Sequence, residues 1–421
     1  MNVICIGREI MPNEDIVAGL DIGTTKVALC VGGHKEGTIE VKAMVKANNS
    51  GLRRGMVVDI EETVSAISAV LEEAERISQS PINSVYVGIG GAHINSVNSK
   101  GVIAVSRADG EIAVEDIKRV IDAARAVAMP PNQEILHVIP KSYVIDGQTS
   151  IKDPLGMVGV RLEVETHVIG GSSAAIKNLT KSVEQAGLAI NDLIFAPLAA
   201  EKVLLSKKQK EMGVILVDFG AGTTGIAVFE EGELIHCNIL PVGSMHITND
   251  IAIGLRISLE AAEKIKLKYA SALSEKIKSD EVINLGNFDS EEKEKVSKKY
   301  VSEIVDARLD EIFSMIKDEL KKIGRDGMLP AGVIFTGGGS KLDGLIAYTK
   351  ENLRLPAQIG YPMLEISGMV DKLDDPVYTT SVGLMLWGLE ESQYKKGSSI
   401  RFDKLGGVGG KVKDFFKNFM P

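Results

Sequence analysis

The chain has 421 residues, 44% of them hydrophobic and 25% charged, with a formal net charge of −9. That length exceeds a single hydrophobic core and predicts two or more globular domains, and the acidic balance argues against nucleic acid as a main partner, because phosphate-tracking surfaces need clustered Lys and Arg. Cys5, Cys30 and Cys237 are too scattered for a disulfide framework, the histidines lack metal-ligand spacing, and the absence of a signal sequence or a run of about eighteen apolar residues predicts a cytosolic chain that does not cross a membrane.

Met1 to Asp15 are assigned nothing. Val17 to Val31, VAGLDIGTTKVALCV, reads as an apolar strand, a turn holding Asp21, Gly23, Thr24 and Thr25, and a second apolar strand that opens with Lys26. Ile39 to Ala47 is a further strand, and GLRRG at Gly51 to Gly55 a turn with two exposed cations. Asp59 followed by Glu62 is a helix-start signature, and Val64, Ile67, Val70, Leu71, Ala74 and Ile77 then share one helical face. From about Val85 to Glu165 the texture becomes that of a small α+β insertion, with a helix from Val114 to Ala128 between alternating strands. Gly88, Gly90 and Gly91 read as a tight turn or bulge, since no helix start follows them. A helix from Ser172 to Gly187 precedes IFAPLAAEKVLL, in which Glu201 lies just over one turn beyond Pro197.

Val214 to Phe229, VILVDFGAGTTGIAVF, repeats the first plan roughly two hundred residues later. Gly220 and Gly222 allow positive φ and close backbone approach, so successive N–H groups can face one anion, and Thr223 and Thr224 add hydroxyl donors. Asp218 is placed to hold Mg2+ through its water shell, because that ion keeps most of its waters and needs few carboxylates. Alone, this stretch is equally a plain Gly-rich hairpin; the second copy at Asp21 is what points to two similar half-molecules around one nucleotide. Ser258 is an N-cap for a helix carrying Glu263 and Lys266 on one face, where an intrahelical salt bridge is the plainer account. Ser274 to Ser297 is charge-rich and reads as an exposed outer part, followed by an amphipathic helix from Tyr300 to Ile323. Gly332 to Leu342, GVIFTGGGSKL, puts Gly337, Gly338 and Gly339 between a strand and a helix, with Ser340 and Lys341 after them, a geometry suited to a flat ring or a phosphate.

Glu390 to Gly410 is too polar and Gly-rich to fold alone. Beyond it Val412, Phe415, Phe416, Phe419 and Met420 follow a helical apolar period, flanked by Lys411, Lys413 and Lys417. Such a helix can lie in an anionic membrane surface; the alternative is a terminal helix docked on the protein's own core.

Together, LDIGTTK, VDFGAGTTGIAVF and IFTGGGSKLDGL resemble the two phosphate motifs and the adenosine motif of the actin-like ATPase superfamily, and GLRRGMVVDIEETVSAI and LPVGSMHITNDIAIGLRISLEAAEKIK are most similar to the FtsA family of bacterial division proteins. The resemblance implies an α/β, actin-like (ribonuclease H-like) two-domain ATPase fold with a nucleotide cleft. It implies subdomain 1A at 16–84, 166–198 and 364–389, an inserted 1C at 85–165, 2A at 199–245 and 328–363, 2B at 246–327, a linker at 390–410 and a membrane-targeting helix at 411–421. It implies ATP and Mg2+ as ligands, with Asp21 and Asp218 facing the metal, Glu263 and Lys266 the ribose and adenine, and Gly337 to Lys341 the nucleoside. It further implies self-association into filaments, the FtsZ C-terminal tail as a partner at 2B, other division proteins at 1C, and a place on the cytoplasmic face of the membrane at the septum. Many relatives carry a Glu immediately before Pro197, where this chain has Ala196, so at most weak ATPase activity is expected, with Glu201 as the one catalytic candidate and a solvated helix residue as its plainer reading. A sugar-kinase-type phosphotransferase and a pilus-assembly scaffold of the same fold are the alternatives.

Overall fold

The computed structural model describes residues 16–35, 37–126, 130, 132–278, 280–288, 294–363 and 366–400. Two sheets of matching topology form its frame. In the first, Thr38–Asn48, Lys26–Lys35 and Val17–Ile22 run antiparallel, and Ser84–Ile89 and then Ala189–Phe195 join in parallel, with Ile366–Gly368 added at the opposite edge. In the second, Glu233–Leu240, Thr224–Glu230 and Val214–Phe219 run antiparallel, and Gly332–Thr336 and Ala357–Ile359 join in parallel. The repeat is thus structural: Asp21 pairs with Ala28 across its hairpin and Gly88 on its parallel side, and Asp218 pairs with Gly225 and Thr336 in the same way.

Both central strands are almost wholly buried, as expected where helices cover the two faces of a sheet. The helix Thr379–Ile400 packs so closely on the first strand that a Cβ on Gly19 would collide with its backbone at Ser381 and Met385. On the other side lies Ile60–Ser78, capped by Asp59, whose side chain accepts from the Glu62 N–H at 3.1 Å, and its buried face includes Ile67, Val70 and Ala74. In the second half, Lys298–Lys322 buries Val301, Val305, Leu309, Ile312, Phe313, Ile316 and Leu320, the stripe its periodicity predicts. Arg308 on this helix holds Asp250 of Ser244–Leu255 through Nε at 2.6 Å and Nη2 at 2.9 Å.

A separate four-stranded antiparallel sheet, ordered Ile94–Ala104, Arg161–Ser172, Gln133–Ile145 and Gln148–Ile151, packs on the helix Val114–Arg125 around its own core of Ile117, Val120, Tyr143, Leu162 and Val164. The expected insertion at 85–165 therefore needs correction at both ends. Ser84–Ile89 is a parallel neighbour of Val17–Ile22 in the first sheet, and the inserted sheet itself closes only at Ser172. The expected linker at 390–410 is corrected in its first part: the helix that starts at Thr379 continues to Ile400. The amphipathic stretch at 411–421, including Val412, Phe415, Phe416, Phe419 and Met420, lies outside the described residues. Among the described residues no helix is long and apolar enough to cross a membrane.

Candidate nucleotide site

Between the two sheets opens a cleft of about 1310 Å³. The equivalent turns after the two central strands face each other across it, and each is closed by one backbone hydrogen bond, Gly23 N–H to the Lys26 carbonyl at 2.8 Å and Gly220 N–H to the Thr223 carbonyl at 3.0 Å. The first turn supplies Asp21, Gly23, Thr24, Thr25 and Lys26 to the wall, and the second supplies Asp218, Gly220 and Thr223. Gly337, Gly338, Gly339 and Lys341 line it from the third turn, and Glu263 and Lys266 from the helix Leu259–Tyr269, which is capped by Ser258. Gly337 adopts a φ of 81°, and a Cβ there would run into the Asp218 carboxylate and the Phe219 carbonyl, so only glycine lets the third turn approach the second.

The cleft carries charges of both signs. Burial, with Asp21 as a like-charged neighbour, pushes the Asp218 carboxyl up to about 6, and Lys26 pulls against that shift. Lys26 donates to Asp21 Oδ2 at 3.1 Å and to the Val377 carbonyl. Two carboxylates facing one cavity, one of them paired with Lys26, suit a hard divalent cation that keeps its own waters. At the other end the Lys266 ammonium, with its side chain only 9% exposed, pairs with Glu263 Oε2 at 2.7 Å and donates to Thr248 Oγ1 at 2.8 Å. The Thr248 hydroxyl in turn donates to Glu263. The intrahelical pair is present, and it lies on the cleft wall.

Four candidates do not reach the cleft. Thr224 is fully buried and donates its hydroxyl to the Val242 carbonyl at 2.8 Å, holding the turn to the neighbouring loop. Ser340 is also buried and donates to the Gly337 carbonyl at 2.7 Å. Gly222 packs its Cα face against Thr24. Glu201 is neither on the wall nor solvated: it is 1% exposed and paired with Lys210 Nζ at 3.0 Å, and burial raises its carboxyl despite Lys210 and Lys202. Ala196 and Pro197 do line the cleft.

Some lining residues escape a reading of motifs. Gly88 and Gly90, read as a structural bulge, sit in the wall because Gly88 is the parallel neighbour of Asp21. Thr248 and the segment Pro376 to Val377 carry no motif of their own. A signal for Gly88 was nonetheless present, since a glycine beside the carboxylate-bearing strand end admits close approach.

Comparison with known proteins agrees with this geometry. A sequence profile described as cell division protein FtsA matches residues 215–383, and one for the SHS2 domain inserted in FtsA matches residues 91–170. The chain is 39% identical to the cell division protein FtsA of Pseudomonas aeruginosa over 92% of its own length and 94% of that protein. It is 36% identical to the Bacillus subtilis FtsA over 93% of this chain and 87% of the relative. Among solved structures, the PilM–PilN type IV pilus biogenesis complex superposes with a TM-score of 0.66 at 17% identity, covering 89% of this chain and 98% of that one. MreB5 of Spiroplasma citri bound to ADP superposes with a TM-score of 0.54 at 13% identity, covering 92% and 99%. With two mirrored sheets about one cleft, an SHS2-type insertion and full-length similarity to these relatives, the chain belongs to the FtsA family of actin-like bacterial cell-division proteins.

Proposed function

We propose that this chain binds ATP with Mg2+ in the cleft, assembles into filaments in that state, and ties the division ring of FtsZ to the cytoplasmic membrane. The observation that carries the nucleotide part is the convergence of Asp21, Asp218 and Gly337 on one cavity, each at the end of a buried strand and each followed by a turn rich in glycine. Thr24, Thr25, Lys26 and Thr223 would supply donors to the phosphates, while Gly23 and Gly220, whose N–H groups close their own turns, would let the backbone come close. Asp21 and Asp218 would hold the metal through water, and Mg2+ there would neutralise the phosphate charge. Glu263, Lys266 and Thr248 would orient the nucleoside against the backbone of Gly337 to Gly339. Ala196 beside Pro197 leaves a methyl where a water-orienting carboxylate would stand, which supports tight binding with slow turnover.

The finer assignments rest on family membership and on the sequence beyond the described residues. The Phe and Lys residues from Lys411 to Met420 would insert reversibly into anionic lipid, and filament formation would raise the overall attachment by multivalency. The FtsZ tail would dock on the outer part of the second half, and other division proteins on the inserted sheet. A fluorescent ATP analogue should bind the wild type in a Mg2+-dependent manner and lose affinity in Asp218→Ala; equal binding by both would refute the assignment of Asp218. Co-sedimentation with anionic liposomes should pellet the full chain and leave a chain ending before Lys411 in solution, and equal pelleting would remove the membrane role.

A further inference from the structure

The segment between the strand Ile366–Gly368 and the helix starting at Thr379 passes along the cleft, where Pro376 and Val377 join the lining. It touches both halves. On the second half, the Pro376 carbonyl accepts from the Gly337 N–H at 3.3 Å and from the Thr336 hydroxyl at 3.3 Å. On the first half, Lys372 Nζ donates to the Met44 carbonyl at 3.1 Å, and the Val377 carbonyl accepts from Lys26. Asp375 sits where these contacts meet. Its Oδ1 pairs with Lys341 of the third turn at 2.7 Å and its Oδ2 with Lys46 of the strand Thr38–Asn48 at 3.7 Å. The same Oδ1 also accepts from the Val377 N–H at 3.0 Å, so the carboxylate is fixed to its own loop.

We propose that Asp375 is a positioning residue that clasps the two halves of the cleft through Lys341 and Lys46. Its side chain is 25% exposed, against 47% for each lysine, so the carboxylate is the fixed member and the ammonium groups come to it. Rotation of one half against the other must lengthen the Lys46 pair or the Lys341 pair, because one short side chain serves both. Lys341 also adjoins the Gly337 to Gly339 backbone, so the clasp sets how closely the third turn stands to Asp218. Removing the carboxylate frees two cations at the cleft rim and loosens the angle between the halves. The consequence for affinity rests on the nucleotide reading above, whereas the consequence for the angle does not.

The test uses the full chain with Cys5→Ser and spin labels on cysteines placed at the exposed positions Glu61 and Lys350, one on each half. Without nucleotide, the parent should give a narrow distance distribution, Asp375→Asn a broadened or shifted one, and Asp375→Glu should restore the narrow form. Binding of a fluorescent ATP analogue with Mg2+ should weaken about tenfold in Asp375→Asn and within about threefold in Asp375→Glu, and Asp375→Asn combined with Lys341→Gln should bind no worse than either single variant. A parent-like distribution and affinity in Asp375→Asn would overturn the clasp. Failure of the parent to bind the analogue would sink the nucleotide reading and leave the distance measurement to decide the clasp. Should Asp375→Asn not fold, Lys341→Gln probes the same contact from its other partner, and an unchanged distribution there overturns the proposal equally.

Discussion

Gly222 in the turn after the strand Val214–Phe219 lies against Thr24 in the turn after Val17–Ile22, so closely that a Cβ on Gly222 would stand 2.5 Å from the Thr24 hydroxyl oxygen and 2.9 Å from its methyl carbon. Thr24 cannot freely turn away, because it is 8% exposed and its hydroxyl accepts from the Gly55 N–H at 3.3 Å. This contact joins the two halves at the point where the turns face each other. Gly222→Ala should therefore hold the turns apart. Overpacking of this kind costs about 1–3 kcal/mol, so the melting temperature of the nucleotide-free protein should fall, and ATP affinity should drop about tenfold as the turns separate. Unchanged affinity by calorimetry would show that the turns need not touch for binding.

The inserted sheet depends on one buried carboxylate. Asp116 is fully buried and accepts from the Ala113 N–H at 3.0 Å, the Ser106 N–H at 3.2 Å and the Ser106 hydroxyl at 2.8 Å, and it pairs with Arg119. Burial alone would raise this carboxyl, but the Ala113 N–H, Arg119 and Ser106 outweigh it and hold its pKa below the usual carboxylate range. Because the folded state has the lower pKa, the stabilisation is full above the unfolded value of about 3.9 and is lost as pH falls through the folded value. Asp116→Ala should cost about 1–3 kcal/mol, since it strands the Ala113 and Ser106 donors while Arg119, half exposed, is left to solvent. Hydrogen exchange in the strands Ile94–Ala104 and Arg161–Ser172 should accelerate, and this difference from the wild type should shrink in acid. Exchange unaltered by the substitution would mean that Asp116 contributes nothing to the insertion.

What the sequence discloses and what it hides follow from the range over which each signal acts. The Asp21 and Asp218 turns, the Asp59 and Ser258 caps and the apolar stripe of Lys298–Lys322 are local patterns of residue type, and each appears where its pattern places it. The direction of a side chain within a turn is not local. Thr223 and Thr224 are adjacent and chemically identical, yet one lines the cleft and the other bonds to Val242, because Thr224 begins a strand whose neighbour is Leu240. Lys210, which buries Glu201 in an ion pair, and the Pro376 segment reach their sites only through the folded chain.

The buried state of Glu201 separates two accounts of the slow turnover proposed above. Glu201→Gln should leave ATP hydrolysis within about twofold of the wild type, since its carboxylate is spent on Lys210 and lies off the cleft wall. Glu201→Ala should lower stability by about 3 kcal/mol or more through the stranded Lys210 ammonium. Ala196→Glu, in contrast, puts a carboxylate on the wall beside Pro197 and should raise turnover by about a hundredfold, the low end of what a positioned base contributes. A hydrolysis rate abolished by Glu201→Gln would place the base where the structure does not.

The two ends of the cleft should be separable by ligand. Lys266 reaches Glu263, Thr248 and, at 3.3 Å, the Ser244 carbonyl, all within the second half. Substitution by Met keeps the stem and removes the charge, leaving Glu263 without its cation. Charge-assisted hydrogen bonds contribute about 1.5–3 kcal/mol, so Lys266→Met should weaken ATP and ADP binding by about the same factor, tenfold or more, with or without Mg2+. On the proposed reading Asp218→Asn acts at the phosphate end, and its effect should appear only when Mg2+ is present, because the carboxylate would serve the metal and not the base. Titrations of both nucleotides against both variants, with the metal chelated and restored, decide the matter; a Mg2+-dependent loss in Lys266→Met would show that the helix Leu259–Tyr269 faces phosphate, reversing the orientation of the nucleotide in the cleft.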